Sequence, residues 1–315
     1  TNQAPVADAG GDQSTTVGTV VTLDGSASSD PDGHTPLSYG WTQTGGPAVT
    51  LSNATAVSPT FTTPGTPTVL TFTLWVTDSY GLAASTADEV VVAVTNQAPV
   101  ADAGGDQSTT VGTVVTLDGS ASSDPDGHTP LSYGWTQTGG PAVTLSNATA
   151  VSPTFTTPGT PTVLTFTLVV TDAYGLAASA ADEVVVTLHD VPVSELAVTT
   201  DGPTILGQVT AFTVTAQGSN LTYTWNFGDG SPVISGSSPT ITHTYPAATT
   251  YTAVVTATNA TNSQQVSFSV QIRSAEVYIY LPLVQNASTT ASGLEVAHLP
   301  LTTTKTMDKD QIAAP

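Results

Sequence analysis

The sequence predicts an all-β protein: three β-sandwich domains in tandem, set in line as a rod, followed by an extended tail with strand segments. Three observations predict it. Aligning Thr1 with Thr95 gives a repeat of 94 residues, and residues 1–92 differ from 95–186 at only three positions, Trp75/Val169, Ser79/Ala173 and Thr86/Ala180. Within each copy, short runs rich in Val, Thr, Leu and aromatics alternate with clusters of Gly, Pro, Asn and Asp, the pattern of strands and turns in a sandwich. Residues 191–273 diverge in sequence but keep that pattern, and no segment carries a helical period.

The elements follow in chain order. The boundaries read as 1–94, 95–188 and 189–273 for the sandwiches and 274–315 for the tail. In the first copy Leu37, Tyr39 and Trp41 alternate with Ser38, Gly40 and Thr42, so one face of a strand is apolar. Leu70, Phe72, Leu74 and Val76 alternate in the same way with Thr71, Thr73 and Thr77, and the two apolar faces are expected to meet across the sandwich. The same alternation puts Trp75 on the outer face, either as a singly exposed aromatic or as a contact with another domain or subunit. In the third domain the corresponding runs are Leu221, Tyr223, Trp225, Phe227 and Tyr251, Ala253, Val255, Ala257.

The tail holds Val277-Tyr278-Ile279-Tyr280-Leu281-Pro282-Leu283-Val284, apolar on both faces, and a second similar run from Leu294 to Leu301. Pro282 and Pro300 restrict both runs to edge strands. Either they pack on their own third domain, or they are donated to a sheet edge of another subunit, with Val277, Ile279, Leu281 and Leu283 entering its apolar groove. The second alternative is favoured, because two such runs exceed what one small domain needs.

Charge excludes several function classes. The chain has 24 acidic residues against three basic ones, Arg273, Lys305 and Lys309, and so a formal net charge of −21. Nucleic acid is excluded, since phosphate binding depends on basic side chains, and an anionic membrane surface would repel the chain. No apolar run approaches the roughly 18–20 residues needed to cross a bilayer, so membrane insertion is not expected. The first residues have neither a charged segment nor an apolar one of the signal-peptide kind, so a mature chain is expected. There is no cysteine, which removes disulfides and a thiol nucleophile. No Ser, His and Asp arrangement and no zinc-type His pair stands out, so an enzyme is not expected. Asn-x-Ser/Thr occurs at Asn53, Asn147, Asn220, Asn259 and Asn286, a short match that arises often by chance in a Thr-rich chain.

Two groups of motifs carry a resemblance. Trp225-x-Phe227-Gly228-Asp229-Gly230, Thr242-His243-x-Tyr245 and Tyr251-Thr252-x-x-Val255-x-Ala257-Thr258-Asn259 resemble the polycystic kidney disease (PKD) domain, an immunoglobulin-like sandwich of cell-surface and secreted proteins. Asn2-Gln3-Ala4-Pro5-Val6-Ala7-Asp8-Ala9-Gly10, Leu23-Asp24-Gly25-Ser26, Ser29-Asp30-Pro31-Asp32-Gly33, Tyr39-x-Trp41 and Val76-Thr77-Asp78-x-x-Gly81 resemble a related PKD-type branch, and they recur from Asn96 to Gly175. The resemblance implies an extracellular location, secreted or at a cell surface. It also implies a calcium ligand set: Asn2, Asp30, Asp32 and Asp78, then Asn96, Asp124, Asp126 and Asp172. Against it stands the reading of Asp and Gly as turn formers, with His34 and His128 where similar domains often have another Asp. The third domain has Asn259 in place of the strand-end Asp and no Asp-Pro-Asp loop, so no equivalent site is expected there.

The function expected is that of a structural subunit of an extracellular filament, stalk or surface fibre, assembled with copies of itself through the tail strands. At about 35 Å per sandwich, three in line span on the order of 100 Å. The alternative is a non-catalytic adhesin or accessory module that binds a surface polysaccharide or protein.

Overall fold

A computed structural model describes residues 1–275. Every regular element among them is a strand, and the chain divides into two compact units, Thr1–Asp190 and the residues from Val191 onward.

In the first copy the strands are β1 (Gln13–Thr16), β2 (Val20–Thr22), β3 (Ser38–Gly45), β4 (Thr60–Thr62), β5 (Thr68–Thr77) and β6 (Asp88–Thr95). They form a four-stranded sheet, β1-β6-β5-β3, and a two-stranded one, β2-β4. The alternation in β5 does what it predicts: Leu70, Phe72, Leu74 and Val76 are fully buried while the threonines between them are not. The partner, however, differs from the expectation. β3 lies beside β5 in one sheet, antiparallel, with Trp41 opposite Leu74 and Tyr39 opposite Val76. The two apolar rows therefore sit side by side on one face, and the core they share includes Val21, Leu23 and Phe61, from β2, the residue after it and β4. Period two tells which face a residue occupies and is silent on which strand lies next to it.

The turn after β3 explains its glycines. The ladder slips by one residue between Gln43 and Gly45, and Gly46 has φ 82°, with space for a Cβ denied by the Val69 carbonyl at 2.3 Å. Gln43 then pins the loop, its Nε2 donating to the Pro47 carbonyl at 2.7 Å and its Oε1 accepting from the Val49 amide at 2.9 Å.

The second copy repeats this design with β7 (Gln107–Thr110), β8 (Val114–Thr116), β9 (Ser132–Gly139), β10 (Thr154–Thr156), β11 (Val163–Thr171) and β12 (Asp182–His189). The sheets are β7-β12-β11-β9 and β8-β10, around Trp135, Phe155, Phe166 and Leu168.

The third domain has a different strand set: β13 (Ser194–Thr200), β14 (Thr204–Ile205), β15 (Thr210–Gln217), β16 (Thr222–Asn226), β17 (Ile234–Gly236), β18 (Thr240–His243), β19 (Thr250–Thr258) and β20 (Ser263–Arg273). They form the sheets β13-β15-β18 and β14-β20-β19-β16-β17. Here too the two predicted apolar rows are neighbours in one sheet, Trp225 opposite Val255. Phe212 of β15 closes the core, its ring 5.9 Å from Trp225, 5.6 Å from Phe227 and 5.9 Å from Phe268. At these separations the aromatics pack tilted rather than face to face, as ring quadrupoles prefer.

Candidate metal centre

The candidate site of the first copy is built from three loop segments. Asp30 opens the loop before β3, and its Oδ1 accepts from the amides of Asp32 at 2.9 Å and His34 at 3.0 Å, curling the loop around the carboxylate. Gly33 takes φ 74° to complete the turn. Asp78 follows β5 directly and repeats the device, its Oδ1 accepting from the Tyr80 and Leu82 amides at 2.9 and 2.8 Å. Asn2 then bridges the two loops: its Nδ2 donates to Asp78 Oδ2 at 2.6 Å, and its Oδ1 lies 2.6 Å from His34 Nδ1. The His34 ring packs edge-on against Tyr80 with centroids 4.6 Å apart.

Asp30 is the odd member. Its side chain is wholly buried, and Oδ2 has no hydrogen-bond partner. Asp32 is directed elsewhere, both of its oxygens held by Gln3, through the backbone amide at 2.6 Å and Nε2 at 2.8 Å. The group that comes together is Asp30, His34 and Asp78, with ligand atoms within 4.8 Å of one another. Burial pushes the Asp78 carboxyl up, but the Leu82 amide, Asn2, the Tyr80 amide and His34 outweigh it and hold the group below the usual carboxylate range. The Gln3 contacts lower Asp32 similarly.

The second copy reproduces each contact. Asn96 donates to Asp172 Oδ2 and faces His128 Nδ1, Gln97 holds Asp126, and Asp124 Oδ2 is again buried without a partner. The group within 4.8 Å is here Asp124, Asp126 and His128. Asp172, like Asp78, is pushed up by burial and pulled further down, by Asn96 first and then by the Leu176 and Tyr174 amides and His128. One contact is new. His128 is buried, and its Nε2 lies 3.0 Å from the Gly65 carbonyl, which belongs to the loop between β4 and β5 of the first copy.

The structure thus gathers seven of the eight expected ligands around the two histidines; Asp32 is turned onto Gln3, while Asp126, held by Gln97 in the same way, stays within 4.8 Å of Asp124 and His128. The histidines, which the sequence sets against a calcium site, stand within both groups. The signal was present: a histidine four residues after the loop's first Asp in both copies. In the third domain Asn259 serves its own turn instead, its Nδ2 donating to the Val191 and Ser219 carbonyls at 2.7 and 3.0 Å. Asp229 there binds His243 Nε2 at 2.7 Å, and the imidazole stacks flat on Phe227 at 3.9 Å. Trp75 is 47 % exposed on the outer face of β5. Val277, Ile279, Leu281 and Leu283 lie outside the described residues.

Comparison with known proteins agrees with this architecture. Residues 195–272 match the PKD domain family, and residues 9–94 and 103–188 match the family described as "K319L-like, PKD domain", which alone takes in more than half of the chain. The chain belongs to the PKD-domain family. No curated protein matches the sequence. Among solved structures, the PKD domain of the KIAA 1837 protein is 35 % identical over 31 % of this chain and 95 % of its own, with a TM-score of 0.26. A nucleoside hydrolase-related hypothetical protein from Saccharophagus degradans, associated with carbohydrate metabolism, is 27 % identical over 30 % of this chain, at a TM-score of 0.26. The match spans about a quarter of that protein, 26 % of its length. The I-band fragment I67-I69 from titin is 11 % identical and covers 87 % of this chain and 99 % of its own, at a TM-score of 0.33. PKD domains are generally non-catalytic and typically extracellular or at a surface, and tandem arrays of them suggest an extracellular structural or adhesion module. Among the described residues no helix is long and apolar enough to cross a membrane.

Proposed function

We propose that this PKD chain is a structural subunit of an extracellular fibre or stalk, whose sandwiches serve in series as spacers and whose tail strands join one copy to the next. The observation that supports it most is the junction between the first two copies. β6 ends at Thr95, and the next residue, Asn96, is already hydrogen-bonded inside the loops of the second copy. No residue is left for a free linker, and the His128 contact with Gly65 ties the copies a second time. Such a junction suits transmission of force more than reorientation. On the accepting side, β17 is the last strand of its sheet among the described residues, with Ile234 exposed and Val233 exposed beside it, the kind of edge to which a donated strand adds. Electron microscopy of the full chain and of a chain cut after Arg273 tests the reading: filaments from the first and monomers from the second are expected. Equal assembly by both would overturn it.

A second reading is a binding module for polysaccharide or protein, and exposed Trp75 is what favours it, since a flat aromatic on a strand face is a stacking platform. Loss of glycan or protein retention in Trp75→Ala, with an unchanged fold, would support that reading over the fibre.

A further inference from the structure

We propose that the two loop clusters are sites for a divalent transition cation of the zinc class, bound through His34 with Asp30 and Asp78 in the first copy and through His128 with Asp124 and Asp126 in the second. Calcium, the ion that the family resemblance implies, fits these residues poorly. It takes six to eight oxygen ligands, whereas each cluster here brings together two carboxylates and one imidazole. Imidazole with carboxylates is the donor set of zinc and its neighbours.

Two observations independent of the acidic cluster point to a ligand. Asp30 Oδ2 and Asp124 Oδ2 are buried and unpartnered in side chains otherwise fixed by backbone amides, and the cost of such an atom is of order 1–3 kcal/mol unless something binds it. The defect occurs at the same place in both copies, so it belongs to the design of the loop. The second observation is the histidine's orientation. His128 Nε2 faces a carbonyl, which only accepts, so Nε2 carries a hydrogen and is committed to that contact. Nδ1 in turn faces Asn96 Oδ1, which also only accepts, because the other end of that amide is committed to Asp172. With Nε2 so committed, Nδ1 is the ring nitrogen left facing the cluster and its bare carboxylate oxygen. The Nε2–H bond to a backbone carbonyl is the usual outer contact that fixes a metal-binding imidazole.

Because that outer contact is a first-copy carbonyl, occupation of the second site also locks the junction. The two sites should therefore differ: among the described residues no hydrogen bond reaches His34 Nε2, so the second site is expected to bind about tenfold or more tightly than the first.

The test uses the full chain, titrated with Co²⁺, Zn²⁺ and Ca²⁺ at neutral pH. Two Co²⁺ per chain are expected, with the visible spectrum of nitrogen ligation, and Zn²⁺ at micromolar concentration should raise the melting temperature of the first unit while Ca²⁺ does not. His34→Ala and His128→Ala combined should abolish the cobalt spectrum. His34→Asp and His128→Asp combined should exchange the response, losing zinc and gaining calcium, which keeps the proposal testable if the alanine pair fails to fold. A calcium response in the unaltered chain with no zinc response would overturn the proposal while leaving a cation site in place. No response to any of the three ions would overturn both. Equal affinity of the two sites, read from the single His34→Ala and His128→Ala chains, would overturn the role given to Gly65.

Discussion

A single buried pair in the third domain, Asp229 with His243, sets how that domain meets acid. Burial raises the Asp229 carboxyl, but the Ser231 hydroxyl, the His243 ring and the Ser231 amide together bring it down to about 2. Its folded value is depressed below the unfolded one of roughly 3.9, so the stabilisation is complete above about pH 4 and is lost as pH falls toward 2. The melting temperature of the third domain should therefore hold steady down to about pH 4 and drop below it. Asp229→Asn should be less stable at pH 7 and show a flatter acid limb; an equally steep limb in the variant would assign the transition to other carboxylates. Beside this pair Tyr245 is pushed up to about 12, by burial first and then by Asp229 and Tyr251. It plays no part in that window. The His243 ring is held from both sides, by Asp229 at Nε2 and by flat stacking on Phe227. In the first copy, spacing gives the order of residues along the loop and not which carboxylate Gln3 will take up, here Asp32.

At the level of strands and turns, the sequence specified faces and turn positions better than neighbours. Alternation placed Leu70, Phe72, Leu74 and Val76 inside and Trp75 outside, since a residue's face depends only on its own parity. Whether β3 lies beside β5 or across from it depends on connections that span some two dozen residues, which parity does not encode. Two mutational outcomes follow. Leu74→Ala and Leu168→Ala remove fully buried side chains from matching environments, and each should cost about 2–5 kcal/mol, the two values agreeing within the error of denaturant titration. Trp75→Val, which copies the second repeat onto an exposed position, should change stability by no more than about 0.5 kcal/mol. In the third domain Gly228 has φ 78°, and a Cβ there would lie 2.0 Å from the Thr252 carbonyl oxygen. Gly228→Ala should thus cost about 2–4 kcal/mol, far more than the same change at Gly230, whose surroundings are open. Similar losses at both positions would mean that backbone conformation, and not the close approach to β19, is what the first glycine serves.

For the whole molecule, charge and tail act in opposite directions on assembly. With a formal net charge of −21, two copies repel one another at any distance shorter than the screening length, which is about 10 Å at 0.1 M salt and about 30 Å at 0.01 M. A strand donated from the tail gains backbone hydrogen bonds and apolar burial, neither of which weakens with salt. If assembly works as proposed, the repulsive part is screened while the attractive part is kept, so raising salt from about 10 mM to about 150 mM should speed filament growth and lower the concentration at which it begins. An association built on charge pairs would show the reverse. The chain cut after Arg273 keeps nearly all of the acidic surface and loses the donor strands, so salt should leave it monomeric. Light scattering across that salt range, on the intact and the cut chain, separates the cases. Growth of both chains with salt would place the contact on the sandwiches themselves, and growth of the intact chain only at low salt would remove strand donation from the account.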